Sequence, residues 1–326
     1  MRLTDSFGRV MTSLRLSVTD RCDLRCVYCM PAQGVEWLPR RDLLSFEEME
    51  RLVRVLAGLG LRRLRLTGGE PLLRRDLPAL VERLARVPGI EDLSLTTNGT
   101  RLAPLAGALK DAGLHRVTVS LDSLDAGRFK AITRGADLGA VLAGLRAAEQ
   151  AGLAPIKINC VVLPENEEDL LPLAALSMEH RWEIRFIEVM PVSSALGHGV
   201  KPGLPMEQLK SRLAGRWGGL EPVPTDAHAP ARRFRLPRSL GKLGFISSVS
   251  EPFCGACDRL RLGPTGRLQL CMAHPDGLDL RPLLKSGLDD QGLAEALVAA
   301  VLRKPSGHAF YRGPQPQGLA MSRIGG

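Results

Sequence analysis

The stretch LRLSVTDRCDLRCVYCMP, residues 14–31, decides how this chain folds, because a short strand pattern in it runs directly into closely spaced cysteines. Leucines alternate there with Arg15 and Ser17, which is typical of a strand whose two faces meet different surroundings. Open α/β sheets and barrels place their functional groups in the loops at the carboxyl ends of their strands. The cysteines that occupy this loop are Cys22, Cys26 and Cys29.

Five further segments repeat the alternation, and they begin at residues 63, 93, 117, 156 and 183. Segments of helical periodicity lie between them. One of these, SFEEMERLVRVLAGLG at 45–60, begins with Ser45 as a predicted N-cap and has Glu48 in place to complete a capping box. Another, DLPALVERLARV, covers residues 76–87. About six βα units in series predict a parallel sheet with right-handed crossovers.

The polar positions of these strands predict a ligand cavity. Parallel strands that are buried on both faces read as continuous apolar runs, and a complete eight-stranded barrel fills its interior with branched apolar side chains. Here one strand face is polar and cationic, and six strands cannot all lie at an edge. The predicted fold is therefore α/β, an incomplete (β/α)6 barrel of the TIM type around an anionic ligand. The polar face carries Arg15, Ser17, Arg63, Arg65, Thr67, Ser94, Thr96, Thr118, Ser120, Lys157, Asn159 and Arg185.

Composition limits the class of protein. The chain has 326 residues, of which 44% are hydrophobic, and it carries a formal charge of +9 with a pI near 9.5. Basic residues are interspersed with acidic ones and aromatics make up only 4%, which argues against nucleic-acid binding. The N-terminus lacks the apolar core of a signal peptide, and the seven cysteines cluster in short regions. We therefore expect a cytoplasmic protein with reduced thiols and no membrane association.

Segments rich in proline and glycine indicate where the chain divides. GVKPGLP at 199–205 and LEPVPTDAHAPARR at 220–233 read as connections between folded parts. They predict a barrel domain over residues 1–220 and a smaller α+β domain over residues 221–326.

Three cysteines with no fourth ligand beside them restrict the kind of metal site. Zinc usually takes four ligands and CxxC pairs are common among them, but the first histidine of the chain is His115. A cubane iron–sulfur cluster normally has four thiolates, so three would leave one iron open to a substrate or cofactor. Zinc with a distant fourth ligand remains the alternative at this point.

A second cysteine group lies in EPFCGACDRLRLGPTGRLQLCM at 251–272. GPTG predicts a hairpin turn, and a two-residue loop there would put Asp258 opposite Cys271, close to Cys257, with a register uncertain by a residue or two. Three thiols would then converge a second time. The group consists of Cys254, Cys257 and Cys271, with Arg259 and Arg261 on one face of the same hairpin.

CxxxCxxC with Tyr28 before its last cysteine, together with GGEP at 68–71, resembles the signature of radical S-adenosylmethionine enzymes. The second cysteine group, the run CDRLRL and the terminal MSRIGG narrow the resemblance to the GTP 3′,8-cyclases of molybdenum cofactor biosynthesis. The resemblance implies two [4Fe-4S] clusters, each on three cysteines, with S-adenosylmethionine at the first open iron and GTP at the second. It further implies that a 5′-deoxyadenosyl radical removes the ribose 3′ hydrogen, after which C3′ joins C8 of guanine.

The resemblance also assigns individual residues. At Arg63 the family often has lysine, so the contact geometry there is less defined. The implied ligands of the first cluster are Cys22, Cys26 and Cys29, and those of the second are Cys254, Cys257 and Cys271. The residues implied to bind S-adenosylmethionine are Tyr28, Gly69, Ser120 and Met190. The residues implied to bind GTP are Arg15, Arg65, Thr96, Lys157, Arg259 and Arg261, with Arg63 and Arg185 as further phosphate partners. The resemblance also implies a functional C-terminal tail that contains Arg323, Gly325 and Gly326.

By the same resemblance, the partners would be an external one-electron reductant, a second copy in a homodimer, and a cyclic pyranopterin monophosphate synthase that receives the product. Two rivals stay open: a radical enzyme with two clusters that acts on peptides, and a zinc-stapled RNA-binding protein. Cys160 shares the apolar strand face and is predicted to be an ordinary buried thiol. The histidines outside the cysteine groups are predicted to have surface or capping roles.

Overall fold

The computed structural model describes residues 1–191, 200–308, 310 and 321. Within them, twelve strands form one sheet in the order β12-β11-β10-β1-β2-β3-β4-β5-β6-β9-β8-β7. The strands are β1 Ser13–Ser17, β2 Arg63–Thr67, β3 Asp92–Thr97, β4 Arg116–Ser120, β5 Lys157–Val161, β6 Glu183–Ile187, β7 Glu221–Val223, β8 Arg232–Arg235, β9 Lys242–Ile246, β10 Arg259–Leu262, β11 Arg267–Gln269 and β12 Gly277–Asp279.

The helices follow the strands in the alternation that the sequence predicted. Short 3-10 helices are also present at Arg40–Asp42, Pro71–Leu73, Pro164–Asp169 and Cys254–Ala256. The α-helices are α1 Phe46–Gly58, α2 Leu77–Ala85, α3 Ala106–Asp111, α4 Ala126–Thr133, α5 Leu138–Gln150, α6 Leu170–Glu179, α7 Met206–Trp217, α8 Arg281–Lys285 and α9 Asp290–Val301.

The predicted partial barrel is confirmed, because β1 to β6 pair in sequence order and all run parallel. The parallel part is longer than the six predicted units. β9 adds to β6 and β10 adds to β1, both in parallel, and antiparallel strands continue the sheet at each end. In the described part of the chain β9 and β10 do not pair with each other, so the barrel is open. The division predicted near residue 220 stays a prediction.

The apolar strand face packs under the helices, as alternation predicted. Leu14, Leu66, Leu95, Val119 and Ile158 are all fully buried in one continuous core. Burying a leucine side chain contributes about 1.5–3 kcal/mol, so this layer is a large part of the free energy of folding. The capping box of α1 is also confirmed. None of the helices in the described ranges is long and apolar enough to cross a bilayer.

The hairpin β10–β11 departs by one residue from the predicted register. Arg261 pairs with Gln269, so the register continues to Arg259 opposite Cys271, where the prediction had Asp258. The reason is the turn: Gly263 N–H donates to Arg267, and Gly266 has φ +93°, which makes a three-residue loop with glycine in the left-handed region. Cys271 still lies next to the start of β10.

Candidate active site

The polar strand face encloses a cavity of about 570 Å³. Its lining contains both cysteine groups and all the described residues that were predicted to contact cofactor or substrate. Arg323, Gly325 and Gly326 of the predicted tail lie outside the described residues. The predicted residues in the lining are Arg15, Cys22, Cys26, Tyr28, Cys29, Arg63, Arg65, Gly69, Thr96, Ser120, Lys157, Arg185, Met190, Cys254, Cys257, Arg259, Arg261 and Cys271.

The two cysteine groups lie at opposite ends of this cavity. Cys22, Cys26 and Cys29 follow the carboxyl end of β1. Cys257 precedes the amino end of β10, which runs parallel to β1, and Cys271 follows β11, which runs back to that same end. The cationic strand positions therefore lie between the two groups of thiols.

The first group forms a compact turn. Cys29 N–H donates to the carbonyl of Cys26 at 2.9 Å, and Leu24 N–H points to Cys22 Sγ at 3.4 Å. Burial raises the pKa of Cys22 to about 12 and that of Cys29 to about 11. All seven cysteines of the chain are free thiols. A bound metal would be needed to deprotonate thiols this far from their ordinary range.

The glycine pair of GGEP lets two backbone segments touch at the base of this loop. Gly69 N–H donates to Thr19 O at 2.9 Å, and a Cβ on Gly69 would lie 2.3 Å from Arg21 O. Gly68 has φ +155°, and a Cβ on it would lie 2.4 Å from Thr19 O. No side chain fits between these segments, so the sequence requires glycine at both positions.

Glu70 ties this glycine turn to the end of β3. Its carboxylate accepts hydrogen bonds from Leu72 N–H at 3.0 Å, Thr97 Oγ1 at 2.7 Å and Asn98 N–H at 2.7 Å. Burial raises the pKa of Glu70 to about 7 in spite of these donors. Both oxygens of the Glu70 carboxylate therefore accept hydrogen bonds that position the loop.

Tyr28 is anchored in a similar way. Its hydroxyl donates to Asp122 Oδ2 at 2.8 Å, and the other oxygen of Asp122 accepts from Val161 N–H at 2.8 Å. Burial raises the pKa of Asp122 to about 6. The cysteine loop is therefore held against the ends of β4 and β5.

Two cations from distant parts of the chain hold the second cysteine group together. Lys304, which is buried, donates to the carbonyls of Arg259 and Leu270, next to Cys257 and Cys271 respectively. Arg9 Nη1 donates to the carbonyl of Cys254 at 2.8 Å. Burial raises the pKa of Cys271, whereas at Cys257 the burial effect is outweighed by Lys304 and Arg259, which lower its pKa.

The middle of the cavity is strongly cationic. Arg15, Arg65 and Arg261 stand in register on three neighbouring strands. Burial, and then the neighbouring arginines, lower the pKa of Arg65 to about 9 and that of Arg261 to about 10. Thr96 Oγ1 and Arg259 Nη2 are buried and have no hydrogen-bond partner among the described residues. An anion bound in this layer would relieve the repulsion among these cations.

Two of the predicted phosphate partners already have carboxylate neighbours. Arg63 donates to Asp226 Oδ2 at 3.0 Å and to Asp258 Oδ2 at 2.8 Å. Arg185 Nε donates to Glu183 Oε1 at 2.6 Å, and both side chains are buried. Either arginine would have to share its charge between a protein carboxylate and a ligand.

Several residues of the cavity were missed by the sequence analysis. Arg116 and Asp92 line it, and both obey the strand parity of the polar face two residues before Thr118 and Ser94. The same parity would have identified both residues if the predicted strands had begun at residues 92 and 116 instead of 93 and 117. Lys304 and Asp226 also line the cavity, but both lie outside the alternating strands and carry no such signal.

The donor sets fit iron–sulfur clusters better than zinc. Within the described ranges, no group of three or more His, Cys, Asp or Glu side chains is close enough to hold a single metal ion. In a cubane cluster each thiolate binds a different iron, so its ligands need not converge on one point. Each group offers three thiols, whereas structural zinc takes four ligands.

Comparison with known proteins agrees with this geometry. Residues 16–176 match the Radical SAM superfamily, and residues 182–310 match the family described as Molybdenum Cofactor Synthesis C. A GTP 3′,8-cyclase of Moorella thermoacetica is 44% identical over 99% of this chain and 100% of its own length. The GTP 3′,8-cyclase 2 of Pseudomonas aeruginosa is 44% identical over 100% of this chain and 99% of its own length.

Solved structures support the fold alone. Streptococcus suis SuiB bound to S-adenosylmethionine superposes with a TM-score of 0.64 over 92% of this chain and 73% of its own, at 14% identity. Methylornithine synthase superposes with a TM-score of 0.51 over 63% of this chain and 62% of its own, at 18% identity.

Proposed function

Because the chain belongs to the GTP 3′,8-cyclase family of radical S-adenosylmethionine enzymes, we propose that its cavity converts GTP into (8S)-3′,8-cyclo-7,8-dihydroguanosine 5′-triphosphate. This lyase reaction is the first step of molybdenum cofactor biosynthesis. The observation that supports it most is one cavity with three thiols at each end and a cationic layer between them. This arrangement would let S-adenosylmethionine bind at one end and GTP at the other, with their reacting atoms close together between the two groups of thiols.

Cys22, Cys26 and Cys29 hold the first [4Fe-4S] cluster, and S-adenosylmethionine lies beside it against Tyr28, Gly69, Ser120 and Met190. A cluster held there would supply one electron for reductive cleavage of S-adenosylmethionine, and the resulting 5′-deoxyadenosyl radical would remove the hydrogen atom from C3′ of the ribose. The protein contributes placement: Glu70 and Asp122 fix the cysteine loop, and Gly68 and Gly69 let the backbone approach.

Cys254, Cys257 and Cys271 would hold a second [4Fe-4S] cluster, which would supply an open iron as a binding site for the guanine. Support comes from the position of this group at the far end of the cavity, with Lys304 and Arg9 keeping the loop together. Guanine at that end and the ribose towards the first group would leave C3′ within reach of the radical.

The triphosphate occupies the cationic layer formed by Arg15, Arg65, Lys157, Arg259 and Arg261. Arginine forks bind phosphate oxygens through paired hydrogen bonds, and the interaction is strong in a cavity that excludes water. The orphan donor of Arg259 and the orphan hydroxyl of Thr96 give the ligand further partners. Arg63 and Arg185 contribute charge while they keep their carboxylate partners.

We expect Lys157 to take up a proton when GTP binds. Burial, followed by Arg185 and Arg116, lowers its pKa to about 6, so the free side chain is neutral at ordinary pH. A nearby phosphate raises that pKa, so the complex holds more protons than the free protein, and affinity should fall as the pH rises above about 6. Calorimetry at about pH 7.5 in buffers of different ionisation enthalpy measures the uptake, up to one proton.

Lys157→Gln is the matched control for this uptake, because the terminal phosphate of GTP titrates in both proteins. The difference between wild type and variant isolates the lysine. Equal proton uptake by the two would show that Lys157 is already charged or does not meet the nucleotide.

The terminal segment with Arg323, Gly325 and Gly326 is proposed to complete the site. Glycine backbone can enter a narrow space and arginine suits an anion. Deletion of Gly325 and Gly326 is expected to leave both clusters loaded and to reduce cyclisation more than GTP affinity, as measured by iron content, binding and turnover. Full turnover in the truncated protein would show that the tail is dispensable.

The reaction needs an external one-electron reductant, and the product goes to a cyclic pyranopterin monophosphate synthase. We further propose a homodimer located in the cytoplasm, with a barrel domain over 1–220 and a cluster-bearing domain over 221–326. The reductant, the synthase and the homodimer rest on the family resemblance, whereas the domain division rests on the segments rich in proline and glycine and the compartment on the N-terminus and the cysteines.

Anaerobic reconstitution followed by incubation with GTP, S-adenosylmethionine and dithionite tests the proposed function. We expect two four-iron clusters per chain and a nucleotide product with the mass of GTP but a different retention time. The mass is unchanged because the hydrogen atom that leaves C3′ for the 5′-deoxyadenosyl radical is replaced by one electron from the reductant and one proton. An unchanged nucleotide in a fully reconstituted protein would refute the proposal. Zinc-loaded, colourless protein would favour the RNA-binding alternative.

A further inference from the structure

We propose that Arg116, positioned by Asp92, is a further phosphate-binding residue of the cavity. The proposal rests on the proposed function, because it takes GTP as the ligand of the cationic layer. It adds a residue that neither the strand analysis nor the family resemblance had assigned.

Arg116 is the first residue of β4 and continues a row of cations across the sheet. Arg15 pairs with Arg65, Arg65 with Ser94, and Ser94 with Arg116. These four side chains share the face that lines the cavity. Arg116 therefore stands on the same layer as two residues predicted to hold the triphosphate, one strand beyond the small side chain of Ser94.

Asp92 fixes the orientation of this guanidinium. Arg116 Nε donates to Asp92 Oδ1 at 2.8 Å, and Nη2 donates to Asp92 Oδ2. The two parallel bonds form a bidentate pair, which leaves both N–H groups of Nη1 and the second N–H of Nη2 for other partners. Both side chains are largely buried, with 14% of Arg116 and 24% of Asp92 exposed.

Arg116 Nη1 is buried and has no hydrogen-bond partner among the described residues. An unsatisfied buried donor is costly, and most such groups in folded proteins have a partner, so this one requires an explanation. Thr96 and Arg259, both predicted to contact GTP, line the same cavity. Thr96 Oγ1 and Arg259 Nη2 likewise have no hydrogen-bond partner among the described residues. A ligand with several acceptor oxygens would satisfy all three.

The surrounding charges favour a phosphate over a neutral group. Arg116 lowers the pKa of Lys157, Arg185 and Arg65, after the effect of burial, so it lies close to three other cations. A phosphate at Nη1 would be shared with those three neighbours.

Arg116→Gln tests the assignment through binding of GTP, GDP and GMP to the reconstituted protein. The assignment places the β- or γ-phosphate at Nη1, and GMP lacks both, so this side chain should matter for GTP and little for GMP. We expect GTP affinity to fall by about 10- to 100-fold, the scale of a lost charged hydrogen bond, and GMP affinity to change less than about twofold. The wild-type preference for GTP over GMP should shrink accordingly.

Arg86→Gln is the matched control, since Arg86 is exposed on the outer surface, pairs with Glu82 and carries the same charge. It should leave all three affinities unchanged. Because Arg116→Gln leaves Asp92 without its partner, the double variant Asp92→Asn/Arg116→Gln removes both charges and should show the same selective loss of GTP.

Equal weakening of GTP and GMP in both Arg116 variants would show a structural role and overturn the assignment, as would unchanged GTP affinity. Failure of the wild-type protein to bind or convert GTP would refute the proposed function, and this assignment with it. Normal conversion by wild type with no selective loss in the variants refutes this assignment alone.

Discussion

Cys26→Ala is expected to abolish formation of 5′-deoxyadenosine, whereas Cys257→Ala is expected to retain some cleavage of S-adenosylmethionine and lose cyclisation of GTP. The two thiols lie at opposite ends of the cavity, so each substitution removes a ligand from a different group. Without the first cluster no electron reaches S-adenosylmethionine. Without the second, the nucleotide loses its anchor while the radical chemistry at the first end is spared.

Cys160→Ala is the matched control for both variants. Cys160 is buried in the core beside Asn166 and does not line the cavity, so its loss should leave the iron content and both activities near wild type. Chromatography of 5′-deoxyadenosine and of the nucleotide product reads both activities at once. Equal loss of the two activities in Cys257→Ala, with the first cluster intact by spectroscopy, would contradict this division of labour.

Gly69→Ala is the second substitution for which a large effect is expected. Its Cβ would lie 2.3 Å from Arg21 O and 2.5 Å from Asp20 O, which is backbone that leads directly into the first cysteine loop. Something must shift, and overpacking of this kind costs about 1–3 kcal/mol. We expect loading of the first cluster and affinity for S-adenosylmethionine to fall at least about tenfold, because a small misplacement at a reacting site has a large effect.

Gly107→Ala provides the comparison, since a Cβ at that position in α3 meets nothing within 4 Å. Alanine also has the higher helix propensity, so this variant should be as stable as wild type or slightly more stable. Calorimetry with S-adenosylmethionine on both reconstituted variants separates the two effects. Wild-type affinity in Gly69→Ala would mean that the segments can part without disturbing the loop.

Periodicity was enough to predict the barrel and the polarity of its interior. The alternation in residues 14–17 is a local property of a strand with two different faces, and each of the six strands repeats it. The same parity would have identified Arg116, but the segment was read from residue 117, one position late. Strand ends are poorly marked in sequence because the residue types at the end of a strand differ little from those of the adjoining turn.

The details that the sequence left open are those set by tertiary contacts. The β10–β11 register moved by one residue because Gly266 adopts a left-handed conformation, which GPTG alone does not specify. Lys304 reaches the second cysteine group from beyond the last helix of the described ranges, and Arg9 reaches it from the N-terminus. No local pattern connects positions so far apart in the chain.

In the sequence, Gly68 and Gly69 stand out only as part of the GGEP motif. Their role depends on the distance between two backbone segments, which appears only when residues 19–21 are folded against them. Similarly, the carboxylate partners of Arg63 come from the loop around Asp226 and from Asp258, on the far side of the predicted domain boundary.

S-adenosylmethionine and GTP are proposed to meet in one cavity between two groups of thiols. The most direct measurement is anaerobic turnover with GTP deuterated at C3′, followed by mass analysis of the 5′-deoxyadenosine. The account predicts deuterium in the 5′-deoxyadenosine from this substrate, and none from GTP deuterated at C2′. Unlabelled 5′-deoxyadenosine from the C3′-deuterated substrate, formed while product accumulates, would contradict it.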